Sequence, residues 1–164
     1  MFKVSNIPNF LTILRIILIP GIIVCIEINE HFYSWIGLIF YILACFSDFL
    51  DGYIARKFDF ESNFGRFLDP IADKILVVAL LIILLENGKI SGFFVYPTLV
   101  IILREVIVSG LRDFFLHSSK SLEVTNLSKW KTMIQMTSIG FLIVGDAFLT
   151  NLILYVGNLG LTIA

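Results

Sequence analysis

Charge is scarce in this chain: only 15% of its 164 residues are Asp, Glu, Lys or Arg, where an ordinary soluble domain carries about 25%. Basic and acidic residues nearly cancel, 12 against 13. No cationic surplus therefore argues for nucleic acid, and no acidic tail argues for a solvated partner. Cysteine is almost missing as well. Cys25 and Cys45 both fall in apolar runs without paired-ligand spacing, which argues against a disulfide framework or a zinc module and reads as two small buried residues. No internal repeat of about 20–50 residues and no low-complexity tract is visible. What fills the chain is apolar: 58% hydrophobic residues and a mean hydropathy of +0.94 describe a membrane protein.

A membrane span takes about 20 mostly apolar residues, and six stretches qualify, at roughly 10–28, 34–56, 68–86, 93–116, 128–146 and 148–164. Together they predict one all-α domain over residues 1–164, with a short interfacial helix over 1–9 limited by Pro8. The first run has no small-residue cleavage site and contains Arg15 and Glu27, so it reads as a retained helix and not as a signal peptide. Asn29-Glu30, Asn87-Gly88 and Ser91-Gly92 punctuate one side, and the longer polar connections 57–67 and 117–127 lie on the other. With the amino terminus inside, Lys89 alone among the 12 basic residues falls at the outer end. The positive-inside rule makes the crowded end cytoplasmic.

The acids gather at that same end. Asp48 and Asp51 stand three apart and Asp69 and Asp73 four apart, so at helical pitch each pair shares one face and two helices could aim four carboxylates at a common point. Left unpaired near a bilayer centre, four acids would cost on the order of 10 kcal/mol. Carboxylate oxygens suit magnesium or manganese, and a two-cation site with a polar cavity answers that cost. The plainer alternative is charge-balanced packing against Arg56, Arg66 and Lys74. Further along, Arg104 and Arg112 are separated by about 80° around a helix. Two arginines on one face make a phosphate clamp; Lys129 and Lys131 are further cations at the same end, and for all four the ordinary alternative is headgroup snorkelling. His31 and His117 are isolated. Trp35, Trp130 and the phenylalanines read as interface anchors and lipid-facing bulk.

Asp48-Phe-Leu-Asp51-Gly52-Tyr-Ile-Ala55-Arg56, then Gly65-Arg-Phe-Leu-Asp69-Pro-Ile-Ala-Asp73 after eight residues, resembles the signature of the CDP-alcohol phosphotransferases, membrane enzymes of phospholipid synthesis. Asn6-Ile-Pro8-Asn9-Phe-Leu-Thr12-Ile-Leu-Arg15, Arg104-Glu105-Val-Ile-Val-Ser109-Gly-Leu-Arg112 and Lys129-Trp-Lys131-Thr132-Met-Ile-Gln135-Met136 are similar to the bacterial branch whose acceptor is sn-glycerol 3-phosphate. Ser128 stands where that branch usually has glycine. The resemblance runs from about residue 5 to about residue 140.

The resemblance implies transfer of a phosphatidyl group from CDP-diacylglycerol to sn-glycerol 3-phosphate with release of CMP, by a homodimer in the bacterial cytoplasmic membrane with its site facing the cytoplasm. It implies that Asp48, Asp51, Asp69 and Asp73 hold Mg2+ or Mn2+, and that Asp73 completes the second metal position or serves as general base, the latter being preferred. Thr12, Gly52, Ala55, Arg56 and Gly65 fall to the CDP side, Arg56 as a fork on the diphosphate, while Arg104, Arg112, Lys129 and Lys131 hold the acceptor phosphate. No organic cofactor is expected. The rivals are a related enzyme with another acceptor (inositol phosphate, serine or phosphatidylglycerol), an inactive subunit of the same fold, and, from a different class, a divalent-cation transporter. A transporter would more usually show repeated halves and a site at the bilayer midplane.

Overall fold

A computed structural model describes residues 7–58, 63–116, 126–145 and 152–164, with side-chain surroundings over 11–48, 50, 71–111, 130–145 and 152–164. Six α-helices follow one another: α1 Ile7–Ile28, α2 His31–Phe58, α3 Asn63–Glu86, α4 Val95–Leu116, α5 Asn126–Val144 and α6 Leu152–Ile163. A 3-10 turn, Gly92–Phe94, leads into α4. No strand occurs among the described residues. The breaks fall where the polar punctuation predicts them. Asn29 stops α1 at a φ of 52°, and Gly88 (φ 72°) and Gly92 (φ 61°) turn the chain after α3, backbone settings that Asn and Gly tolerate best.

One expectation needs correction: α3 begins at Asn63 and not near 68, so Asp69 and Pro70 lie inside the helix. α6 is described over Leu152–Ile163, and the start of the predicted run from 148 to 164 lies outside the described residues. Windows long and apolar enough to cross a bilayer are found among the described residues in α1 (Leu11–Ile28), α2 (His31–Asp48) and the 3-10/α4 segment (Gly92–Leu111). The predicted interfacial helix falls largely on residues 1–6, outside those described; α1 itself opens at Ile7 with Pro8 in its first turn, where a missing N–H costs nothing.

The core forms around α3. Ala72, Leu76, Leu80 and Leu84 recur every four residues and are all buried, so one stripe of the helix meets its neighbours. Ile19, Ile22 and Ile26 of α1, Tyr41 and Ala44 of α2, and Ile139, Leu142 and Ile143 of α5 complete the cluster. α1 packs most extensively on α2, and α5 on α6 and α2; the Tyr41 hydroxyl donates to the Met136 carbonyl at 2.9 Å across that last seam. Lipid is as apolar as leucine, so fit rather than transfer from water holds such helices together. Small residues make the fit at α5–α6: a Cβ on Gly157 would stand 2.9 Å from Leu142 Cγ and 3.2 Å from the Ser138 carbonyl, and one on Gly160 would collide with the Ser138 hydroxyl. The exposed apolar side chains, among them Trp35, Trp130, Phe93 and Phe141, match the anchor and lipid-facing reading. Cys25 is buried, Cys45 half-buried, and both are free thiols.

Lys89, the one cation predicted at the outer end, is not a solvated surface residue. It is 5% exposed. Its Nζ donates to the Ile143 carbonyl at 3.0 Å, satisfying a last-turn acceptor of α5 that has no partner within the helix. The Lys89 carbonyl in turn accepts from Asn158 Nδ2 at 3.1 Å, so this one residue ties the turn after α3 to both α5 and α6.

Candidate active site

A fully buried arginine sits at the meeting point of α1, α2 and α3. Arg15 has no exposed side-chain area, yet its Nη2 lies 3.0 Å from Asp48 Oδ1 and its Nη1 donates to Asp73 Oδ1 at 2.6 Å. The two acids come from different helices, Asp48 from the second half of α2 and Asp73 from the first half of α3. They are the first and last acids of the sequence motif, and the fold brings them together on one guanidinium. Their side chains stay 47% and 41% exposed while their shared cation is fully buried. Beside this joint the Ser47 hydroxyl donates to the Leu11 carbonyl at 3.0 Å, binding α1 to α2. Thr12, one turn before Arg15, is fully buried.

Asp51, Gly52, Ala55 and Arg56 lie along the last turns of α2, and Gly65 and Asp69 along the first turns of α3; their side chains fall outside those described. The helix assignments nevertheless put all four acids on two helices that run into the same end of the bundle. Among the described residues no group of three or more His, Cys, Asp or Glu converges, two of the four acids being beyond that description. Asp48 and Asp73 themselves suit a hard divalent cation: they bring carboxylate oxygens from two helices to one guanidinium and stay nearly half exposed.

A second polar group extends from the first. Lys74, next to Asp73, donates from Nζ to the Ser109 hydroxyl and so links α3 to α4. On α4, Arg104 donates to Glu105 Oε1 at 2.6 Å, to Gln135 Oε1 on α5 at 3.0 Å and to the Ala164 carbonyl at 3.3 Å. Lys131 is half-buried on α5, while the side chains of Arg112 and Lys129 fall outside those described. The structure therefore brings Arg104 into a network with Glu105 and Gln135, without gathering all four predicted phosphate ligands in view. Sequence reasoning missed Arg15, Lys74, Ser109 and Gln135 as members of the site. A signal existed for Arg15, because an arginine inside an apolar helix demands a buried counter-charge, and the motif acids were the available ones.

With this geometry in hand, comparison with known proteins decides the kinship. The sequence matches the CDP-alcohol phosphatidyltransferase family over residues 5–164. The chain belongs to that family. Among similar proteins, one from Rickettsia bellii is 43% identical over 142 residues, covering 87% of this chain and 77% of the relative. One from Haemophilus influenzae is 39% identical over 140 residues (84% and 75%), and one from Wigglesworthia glossinidia brevipalpis is 40% identical over 164 residues (97% and 86%). All three bear the name CDP-diacylglycerol–glycerol-3-phosphate 3-phosphatidyltransferase. A phosphatidyltransferase of the membrane is thus the class to which the fold and the acids belong.

Proposed function

We propose that the chain transfers the phosphatidyl group of CDP-diacylglycerol to sn-glycerol 3-phosphate, forming phosphatidylglycerophosphate and releasing CMP. The observation that carries this reading is the convergence of Asp48 and Asp73, the outer acids of the family motif, from two helices in a chain 43% identical to a relative of that name. The free hydroxyl of glycerol phosphate attacks the phosphorus bearing the diacylglycerol ester. A new P–O bond forms there, the P–O bond to the cytidylyl phosphate breaks, and CMP leaves with the electron pair. Asp73 takes the hydroxyl proton, which requires it within hydrogen-bond reach of the acceptor. Asp48, Asp51, Asp69 and Asp73 would hold Mg2+ or Mn2+, which when bound neutralise charge on the diphosphate.

The remaining roles are those that the resemblance implies. Arg56 forks onto the diphosphate, with Thr12, Gly52, Ala55 and Gly65 on the CDP side. Arg104, Arg112, Lys129 and Lys131 hold the acceptor's phosphate; for Arg104 this means exchanging part of its bond to Glu105 for the ligand. Six helices span the bacterial cytoplasmic membrane, with the acids at the cytoplasmic end. The homodimer that the resemblance implies has its widest uncovered face on α4, where Val100, Leu103, Val106 and Ile107 are exposed.

The second reading is a family enzyme with a different acceptor, since the acids serve every acceptor equally and only the cationic group selects one. A divalent-cation transporter has neither the family nor the relatives behind it. An acceptor panel tests the choice: purified protein with CDP-diacylglycerol and magnesium should release CMP with sn-glycerol 3-phosphate and hardly at all with plain glycerol, serine, inositol phosphate or phosphatidylglycerol. Equal turnover with glycerol would move the chain to another branch.

A further inference from the structure

We infer that Arg15 is a positioning residue of this active site, acting as a rigid ruler between its two outermost acids; the inference rests on the transferase reading above. Three observations carry it. The side chain is wholly buried, whereas both partners are nearly half exposed, so the cation is placed behind the acids and out of the substrate's path. Each terminal nitrogen takes a different helix, Nη2 to Asp48 on α2 and Nη1 to Asp73 on α3. Both contacts use Oδ1 of the carboxylate.

A planar guanidinium with two terminal nitrogens fixes the distance and the relative angle of the two oxygens it holds. A lysine ammonium at the same place would supply the charge without the fork. Two carboxylates on separate helices repel each other, and the motif's own regularity reaches only within a helix. Arg15 supplies the register across helices. The Ser47 bond to the Leu11 carbonyl holds α1 against α2 one turn away and keeps the ruler from sliding. Arg15 is buried behind the acids, and its effect on the reaction passes through Asp48 and Asp73.

The charge and the fork are separable by substitution. Arg15→Lys keeps a cation behind the acids; Arg15→Met removes it. Supporting partners of this kind typically cost about 10–100-fold when changed, so Arg15→Lys, judged folded by an unchanged elution and melting profile in detergent, should lose at least about tenfold in kcat while the KM for each substrate stays within about threefold. A readout free of turnover accompanies it: Mn2+ electron paramagnetic resonance of protein without substrate. The wild type should give the spin-coupled signal of two neighbouring ions, and Arg15→Lys should bind Mn2+ with that coupled signal weakened or lost.

A coupled signal and kcat both preserved in Arg15→Lys would overturn the ruler while leaving the transferase reading intact. Loss confined to Arg15→Met, with full rescue by lysine, would show that charge alone suffices and would overturn it equally. If Arg15→Lys does not fold, Asp48→Glu in the wild-type background, which lengthens one arm against an unchanged ruler, should show the same fall in kcat and in the coupled signal. Preservation of both in that variant overturns the inference. A wild type with neither transfer nor a coupled pair defeats the transferase reading and the inference together.

Discussion

At the scale of single residues, the proposed function gives the acids the chemistry and the cations the choice of acceptor. Replacing Asp48 or Asp69 by Asn should abolish turnover in a protein that still folds in detergent, because metal-assisted charge stabilisation is worth several kcal/mol in the transition state; purified variants assayed for CMP release check this. Asp73→Asn should lower kcat far more than it weakens CDP-diacylglycerol binding, and a weakened nucleotide affinity at unchanged rate would contradict its role as base. On the acceptor side, a lost charged hydrogen bond is worth about 1.5–3 kcal/mol, or roughly ten- to hundredfold. Arg112→Ala should accordingly raise the KM for glycerol 3-phosphate by that factor with little change for CDP-diacylglycerol.

Legibility at this scale divides along one line. The acids were readable because Asp48 with Asp51 and Asp69 with Asp73 keep helical spacing within one element. Arg15 carries no such mark: its partners lie on two other helices, and only packing reveals which buried cation meets which acid. Lys89 shows the same blind spot. Charge counting puts it at the outer end, but its bond to the Ile143 carbonyl depends on where α5 ends.

Among the elements, the helices of the bundle stand where hydropathy predicts them, since length and apolar content alone delimit a buried helix. Their ends were less readable. α3 takes in the polar stretch from Asn63, which hydropathy assigns to a connection. The α5–α6 seam depends on two glycines of α6, and a large side chain there must push backbone aside at about 1–3 kcal/mol. Gly157→Leu or Gly160→Leu should therefore lower the melting temperature in detergent by several degrees. Lys89→Met should do likewise, because it leaves the Ile143 carbonyl buried without that donor. Activity per folded molecule in Lys89→Met should stay near wild type, as its contacts lie at the end of the bundle away from the acids.

For the whole molecule, the arrangement is a helical bundle with apolar flanks, and under the proposed function lipid tails would reach the site sideways while nucleotide and acceptor arrive from water. Of the three long apolar windows among the described residues, the one ending in α4 is the least covered, with 11% buried. Its outer face is left to lipid or to a second copy. A topology with the acids inside predicts that a cysteine at Asn87 is labelled by an impermeant reagent from outside intact cells, and that one at Lys74 is labelled only after the cells are opened. The most direct test of the central claim is a transfer assay with radiolabelled sn-glycerol 3-phosphate, CDP-diacylglycerol and magnesium in detergent micelles. One CMP should appear for each labelled lipid formed, and both should vanish with Asp48→Asn. CMP released without labelled lipid, or labelled lipid formed equally well by the Asp48→Asn protein, would contradict the account.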